Sequence, residues 1–161
     1  MADQTTVLQL VLDNLGVGND ISTQDDRIAI QKLVCLAQEA GLQLGYSFNW
    51  YVRGPYSPAL TSDYYQIASS QEAVETDASK FVLSVQAEGA LARVKSAMNP
   101  PQGVLLPSVR WLELIASIAF LVKRYRFSKE QASSKIQESK PNLHPYFEHG
   151  YNALQEAGFL G

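Results

Sequence analysis

Apolar residues recur every three or four positions along most of this chain, and the period shortens to two in only two places. Over 4–15, Val7, Leu8, Leu10, Val11, Leu12 and Leu15 keep a helical spacing that Gly16 closes. The Gly-Val-Gly-Asn-Asp stretch at 16–20 reads as a loop. Ser22 or Thr23 is placed to cap a second helix, with Asp25 or Asp26 in its first turn, where negative charge suits the helix dipole. In that helix Ile30, Leu33, Val34, Ala37 and Ala40 share one face, and Gly41 stops it.

The period then changes. Phe48, Trp50 and Val52 alternate with Asn49, Tyr51 and Arg53, which predicts a strand broken by Gly54-Pro55. Ser57-Pro58 is a helix entrance, because Ser57 can accept from free amides and Pro58 has no amide to leave unpaired. A helix over 58–68 follows. The polar, acidic stretch from Ser69 to Ser79 has no period and is expected to be a loop. Phe81, Leu83 and Val85 alternate again and suggest a second strand, able to pair with the first into a small antiparallel sheet that needs helices behind it.

A short helix is expected over 89–98, before Asn99-Pro100-Pro101-Gln102-Gly103. The longest should run from Ser108 to Tyr125, apolar nearly all round and therefore central. Ser128 and Gln131 form a capping box for the next, which Pro141 limits, and a last helix should run from near Pro145 to Gly158. The fold class is thus mainly α with a small antiparallel β-sheet or wing, an α+β, winged-helix-like domain of about six helices spanning 1–161.

Composition narrows the function classes. At 161 residues the chain suits one domain, and 46% apolar with 18% charged residues excludes intrinsic disorder. A single cysteine, Cys35, excludes an internal disulfide framework and, inside a helical apolar pattern, is expected to be a buried, inert thiol. The N-terminal stretch is acidic and lacks a signal-peptide pattern. The apolar run at 111–122 is interrupted by Glu113 and Ser117 and falls short of the roughly 20 residues a membrane span needs. No membrane association and a cytoplasmic location are expected. The net charge of -3 is unevenly spread: residues 1–80 carry ten acids and four bases, and residues 81–161 six acids and nine bases.

Candidate chemistry is sparse. His144 and His149 stand five apart around Glu148, which does not stack two metal ligands on one helical face. No nucleophile elbow, Walker loop or dinucleotide fingerprint is present, so neither an enzyme nor a metal or cofactor site is expected. Two binding surfaces are. A helix-turn-helix reading joins Lys123, Arg124 and Arg126 to Lys129 and Lys135, which could neutralise DNA phosphates. The denser feature is aromatic. Tyr51 and Arg53 on one strand face, the stiff Gly54-Pro55 turn, Tyr56 and Tyr64 combine the residue types that dominate protein–protein hot spots. Phe48, Trp50 and Val52, on the other face, are expected in the core.

The run RIAIQKLVCLAQEAG, followed by GYSFNWYVRGPYSPALTSDYYQIA, resembles the Panacea superfamily, which includes SocA-like antitoxins and YwgA-like proteins. Gln31, Lys32 and Leu33 match its helix signature, and Gly54, Pro55, Tyr56, Ser57 and Leu60 its turn and helix entrance. Cys35 stands where an aromatic residue is common. The likeness covers about residues 26–68. It implies a helical fold with a small wing and a bacterial protein that acts as an antitoxin to a toxin encoded beside it, as a protease adaptor, or as a regulatory piece of a mobile-element or phage-defence locus. DNA binding accompanies those roles in some members, and no cofactor is implied.

Overall fold

The computed structural model describes residues 2–18 and 20–160, so Asn19 in the expected 16–20 loop, together with Met1 and Gly161, lies outside the described residues. Among them are eight α-helices and one two-stranded antiparallel sheet, an α+β arrangement dominated by helix.

Helix α1 (Gln4–Leu15) starts where the Asp3 carboxylate accepts the Thr6 amide and stops at Gly16, whose φ of 75° is the left-handed conformation glycine takes freely. Leu8, Val11, Leu12 and Leu15 form its buried stripe. Helix α2 (Gln24–Glu39) opens with a reciprocal capping box between Thr23 and Asp26. It lies along α6 (Ser108–Lys123), and these two 16-residue helices form the centre of the fold. Every residue of α6 from Trp111 to Leu121 is buried, as its apolar circumference requires. The Trp111 indole N–H donates to the Ala97 carbonyl at 2.8 Å, tying α6 to the end of α5 (Val85–Ala97).

Helix α3 (Pro58–Ser69) begins at the expected Ser57 cap, and α7 (Lys129–Ser139) at the Ser128–Gln131 capping box. The terminal segment enters through a short 3-10 turn at His144–Tyr146 and continues as α8 (Phe147–Glu156). At Gly150 this helix comes so close to α6 that an added Cβ would stand 3.0 Å from Ile118 Cδ1.

Four expectations are corrected. The polar stretch Ser69–Ser79 holds a helix, α4 (Gln71–Ala78), because Val74 and Ala78, one turn apart, bury against α1 and suffice to hold a short amphipathic element. The alternation at Phe81–Val85 is not a strand: Val82 and Val85 point into solvent, Ser84 caps α5, and that helix starts at 85 rather than 89. The sheet pairs β1 (Asn49–Tyr51) with β2 (Gly54–Tyr56), so Gly54-Pro55 lies inside the second strand instead of ending the first. Finally, α6 stops at Lys123, and the chain turns away through Arg126 at φ 58°. Tyr125 then folds back onto Phe120, ring centroids 4.9 Å apart.

Candidate functional site

The hairpin is built from very few residues and is held from beneath. Its register pairs Asn49 with Tyr56, Trp50 with Pro55 and Tyr51 with Gly54, leaving Val52-Arg53 as a two-residue turn. Pro55 is tolerated because each strand of a two-stranded ribbon is an edge, where a missing N–H costs little. Gly54 has φ 89°, and a Cβ built there would lie 2.5 Å from Ser117 Oγ on α6. Only glycine satisfies both constraints.

Beneath the turn lies a buried ionic group. The Lys32 ammonium on α2 donates to the Pro55 carbonyl at 2.7 Å. Lys140, just after α7, donates to the Val52 carbonyl at 2.7 Å and to Glu113 Oε2 at 2.8 Å. The second oxygen of Glu113 pairs with Arg110, which also approaches Asp25 at 3.7 Å. Two lysines therefore bind one carbonyl in the turn and one in the strand that leaves it, and one carboxylate from the central helix neutralises part of their charge. Gln31 closes the other end of the strand: its amide accepts from the Ser57 N–H and donates to the Ser57 carbonyl, at 2.9 and 3.0 Å. Among the described residues the Ser117 hydroxyl has no hydrogen-bond partner.

Lys32 is 1% exposed, and burial pushes its ammonium down to about 8, against partial support from Cys35 and Glu113. The sign of its effect on stability follows. Below pH 8 the folded and unfolded chains both carry the proton, and the cost of burying the charge is fully present. Between about 8 and the ordinary lysine value the unfolded chain binds more protons than the folded one, so stability rises with pH. The rise attributable to this group should total about 3 kcal/mol. Burial pushes the Cys35 thiol up, which acts in the opposite direction over the same range. Urea unfolding of the wild type and Lys32→Met from pH 7.5 to 10.5 separates the two: their stability difference should change with pH as stated, and parallel curves would refute it.

Held this way, the turn projects Tyr51, Val52 and Arg53 into solvent, with Val52 89% and Tyr51 47% exposed. The Tyr51 ring meets Tyr56 edge-on at 5.4 Å. Arg53 forms no hydrogen bond or ion pair with any described residue. It stands between two hollows. One, about 310 Å³, is lined by Arg110, Glu113, Lys140 and Asn142. The other, about 260 Å³, lies between α2 and α3 and has Arg27, Lys32, Arg53 and the tyrosines Tyr56, Tyr64 and Tyr65 in its wall.

The expected protein-binding residues thus divide. Tyr51 and Arg53 are exposed at the tip, and Tyr56 is half-buried, its hydroxyl bonded to Thr61. Gly54 and Pro55 are buried and serve the turn, not its surface. Tyr64 is 2% exposed and contributes only to the hollow's wall. The expected division of strand faces also needs correction at Val52: the hairpin turns there, leaving it in solvent, while Trp50 packs on Phe120 with the Lys140 ammonium 5.4 Å over its ring.

Four of the five proposed DNA contacts are engaged within the chain. Lys123 donates to the Glu39 carbonyl at the end of α2, and Arg124 pairs with the Glu39 carboxylate at 2.9 Å. Lys129 pairs with Glu148 at 2.9 Å, and Lys135 lies 4.0 Å from Glu138. Arg126 alone of the five has no such partner among the described residues. His144 bonds Ser133, and His149 is exposed on α8. Among the described residues no group of three or more His, Cys, Asp or Glu is placed to hold a metal ion, and no helix is long and apolar enough to cross a membrane.

Sequence reasoning passed over Lys140 and gave Lys32 and Glu113 no functional role. The available signal was a charge set within an apolar helical run, Lys32 before Leu33-Val34 and Glu113 between Leu112 and Leu114. Such residues are rarely buried unless paired, and here Glu113 pairs with Lys140 while Lys32 bonds the Pro55 carbonyl. Comparison with protein-family models, with curated proteins and with solved structures finds no match to this chain.

Proposed function

We propose that this protein is a non-enzymatic, protein-binding regulator of antitoxin or phage-defence type, acting in the cytoplasm on a partner encoded nearby. The observation that carries the reading is the clamped hairpin, which presents an aromatic, an aliphatic and a cationic side chain, the last without a partner among the described residues, on a turn held by two buried lysines. Such a tip loses little conformational freedom on association, so more of its contact energy is left for affinity. Tyrosine and arginine are also the side chains most often found at the energetic centre of protein interfaces. The resemblance of residues 26–68 to the Panacea superfamily supports the same reading. A winged-helix DNA-binding role has weaker support, because four of its five basic side chains already have partners within the chain.

Affinity purification of the tagged protein from its native host, followed by mass spectrometry, tests the reading. One stoichiometric protein partner is expected, and Tyr51→Ala combined with Arg53→Ala should abolish its capture without lowering the melting temperature. Both side chains lie outside the core, so exposed-site effects within about 0.5 kcal/mol are expected on stability. Co-purification of DNA without a protein partner would move the assignment to the α7 surface.

A further inference from the structure

The hollow between α2 and α3 has a composition that the surrounding surface does not share. Residues 1–80 hold ten acids and only four bases. Three of those four bases, Arg27, Lys32 and Arg53, line this one hollow, and its wall contains no carboxylate. Nearby acids are occupied elsewhere: Asp26 in the α2 capping box, Asp25 toward Arg110, and Asp63 with the Tyr46 hydroxyl at 2.6 Å. Arg27 spends one donor on the Ile21 carbonyl at 2.8 Å and retains others, and Arg53 has no partner among the described residues. Lys32 forms the floor with its ammonium already bonded to Pro55, so it supplies fixed positive potential. Ile28 and the tyrosine rings give the wall its apolar part, and the neutral polar side chains of Gln24, Gln31 and Thr61 complete it.

Positive groups gathered against the local charge, with free guanidinium donors at the rim, fit a single anionic group attached to an apolar body. The size selects among such ligands. At about 260 Å³ the hollow is below the roughly 300–1,000 Å³ typical of cofactor and drug-sized sites, and suits one side chain. A nucleic acid would have to bring further phosphates over a surface rich in acids, whereas a lone carboxylate need not. We infer that this hollow is the anchor pocket for a single aspartate or glutamate side chain, flanked by an apolar or aromatic residue, on an extended segment of the protein partner. The inference rests on the partner-binding reading of the adjoining hairpin tip, with Arg53 shared between the two.

Panning a random linear peptide library on the immobilised full chain tests it, with Arg27→Gln/Arg53→Gln as the paired target. Enrichment of peptides with Asp or Glu next to an apolar or aromatic residue is expected. A synthetic copy of the best peptide should bind the double variant roughly tenfold or more weakly, and its Glu→Gln or Asp→Asn twin should show the same loss on the wild type. Equal melting temperatures of the two proteins would establish that fold is not the cause. No enrichment, enrichment without acidic residues, or equal binding by the double variant would overturn the inference. So would saturable binding of adenosine monophosphate that displaces the peptide, since the pocket would then be a phosphate site. A cellular partner captured equally well by the double variant would sink the pocket while leaving the hairpin reading intact. Failure to capture any protein from the host would instead sink the hairpin reading.

Discussion

Gly54→Ala should lower stability by about 4 kcal/mol, the sum of backbone strain at a positive φ and overpacking against α6. For a domain of this length that corresponds to a fall in melting temperature of roughly 10 °C. The two contributions can be separated. Ser117→Ala removes the hydroxyl that the new Cβ would strike, and alone it should be close to neutral, because that hydroxyl has no hydrogen-bond partner among the described residues. In the Ser117→Ala background the cost of Gly54→Ala should drop to the strain alone, about 1–3 kcal/mol. Thermal unfolding of the four proteins reads the cycle. A Gly54→Ala protein melting within a degree or two of the wild type would mean that the turn does not sit on α6 as described.

The second large effect is expected at Glu113. Its carboxylate answers Lys140 and Arg110 from within the central helix, and both it and Lys140 are almost fully buried. Glu113→Gln keeps the shape and removes the charge, leaving the lysine without a counterion. Breaking a buried pair from one side costs about 3–5 kcal/mol. Removing the lysine as well, in Glu113→Gln/Lys140→Met, should recover a good part of the loss, a coupling of about 2 kcal/mol in urea unfolding. Additive effects would show that the two residues do not meet. A functional consequence accompanies the thermodynamic one: Lys140 also holds the Val52 carbonyl, so Lys140→Met should loosen the hairpin tip and weaken partner capture even where the chain stays folded.

The elements that were legible in the sequence are those with a local cause. Helix α1 has a stripe at Leu8, Val11, Leu12 and Leu15 and a glycine stop, and the Thr23, Ser57 and Ser128 caps each sit within three residues of the amide they satisfy. The apolar circumference of α6 announced its central place for the same reason. Helix α4 escaped because its burial rests on two positions, Val74 and Ala78, too few to show a period against an acidic background. The Phe81–Val85 alternation misled because period two is a property of residue order, and nothing in that order says whether a partner strand exists.

The site divides along the same line. The exposure of Tyr51 and Arg53, a strand around Trp50 and the helix entrance at Ser57-Pro58 were readable from residue type and alternation, but the turn was expected at Gly54-Pro55 and lies at Val52-Arg53. The strand partner, the requirement for glycine against Ser117, and the clamp were decided by tertiary structure. Lys32, Glu113 and Lys140 lie far apart in the chain, and each alone looks like a charge misplaced among apolar or turn residues. Only packing α2 on α6, with the segment after α7 laid beside them, brings those charges within hydrogen-bonding distance of one another or of the hairpin carbonyls. The gathering of Arg27, Lys32 and Arg53 around one hollow has the same origin. Local sequence sets caps, stripes and turns because their causes act within a few residues. Buried charge pairing and concavity are long-range, and they exist only once the helices have met.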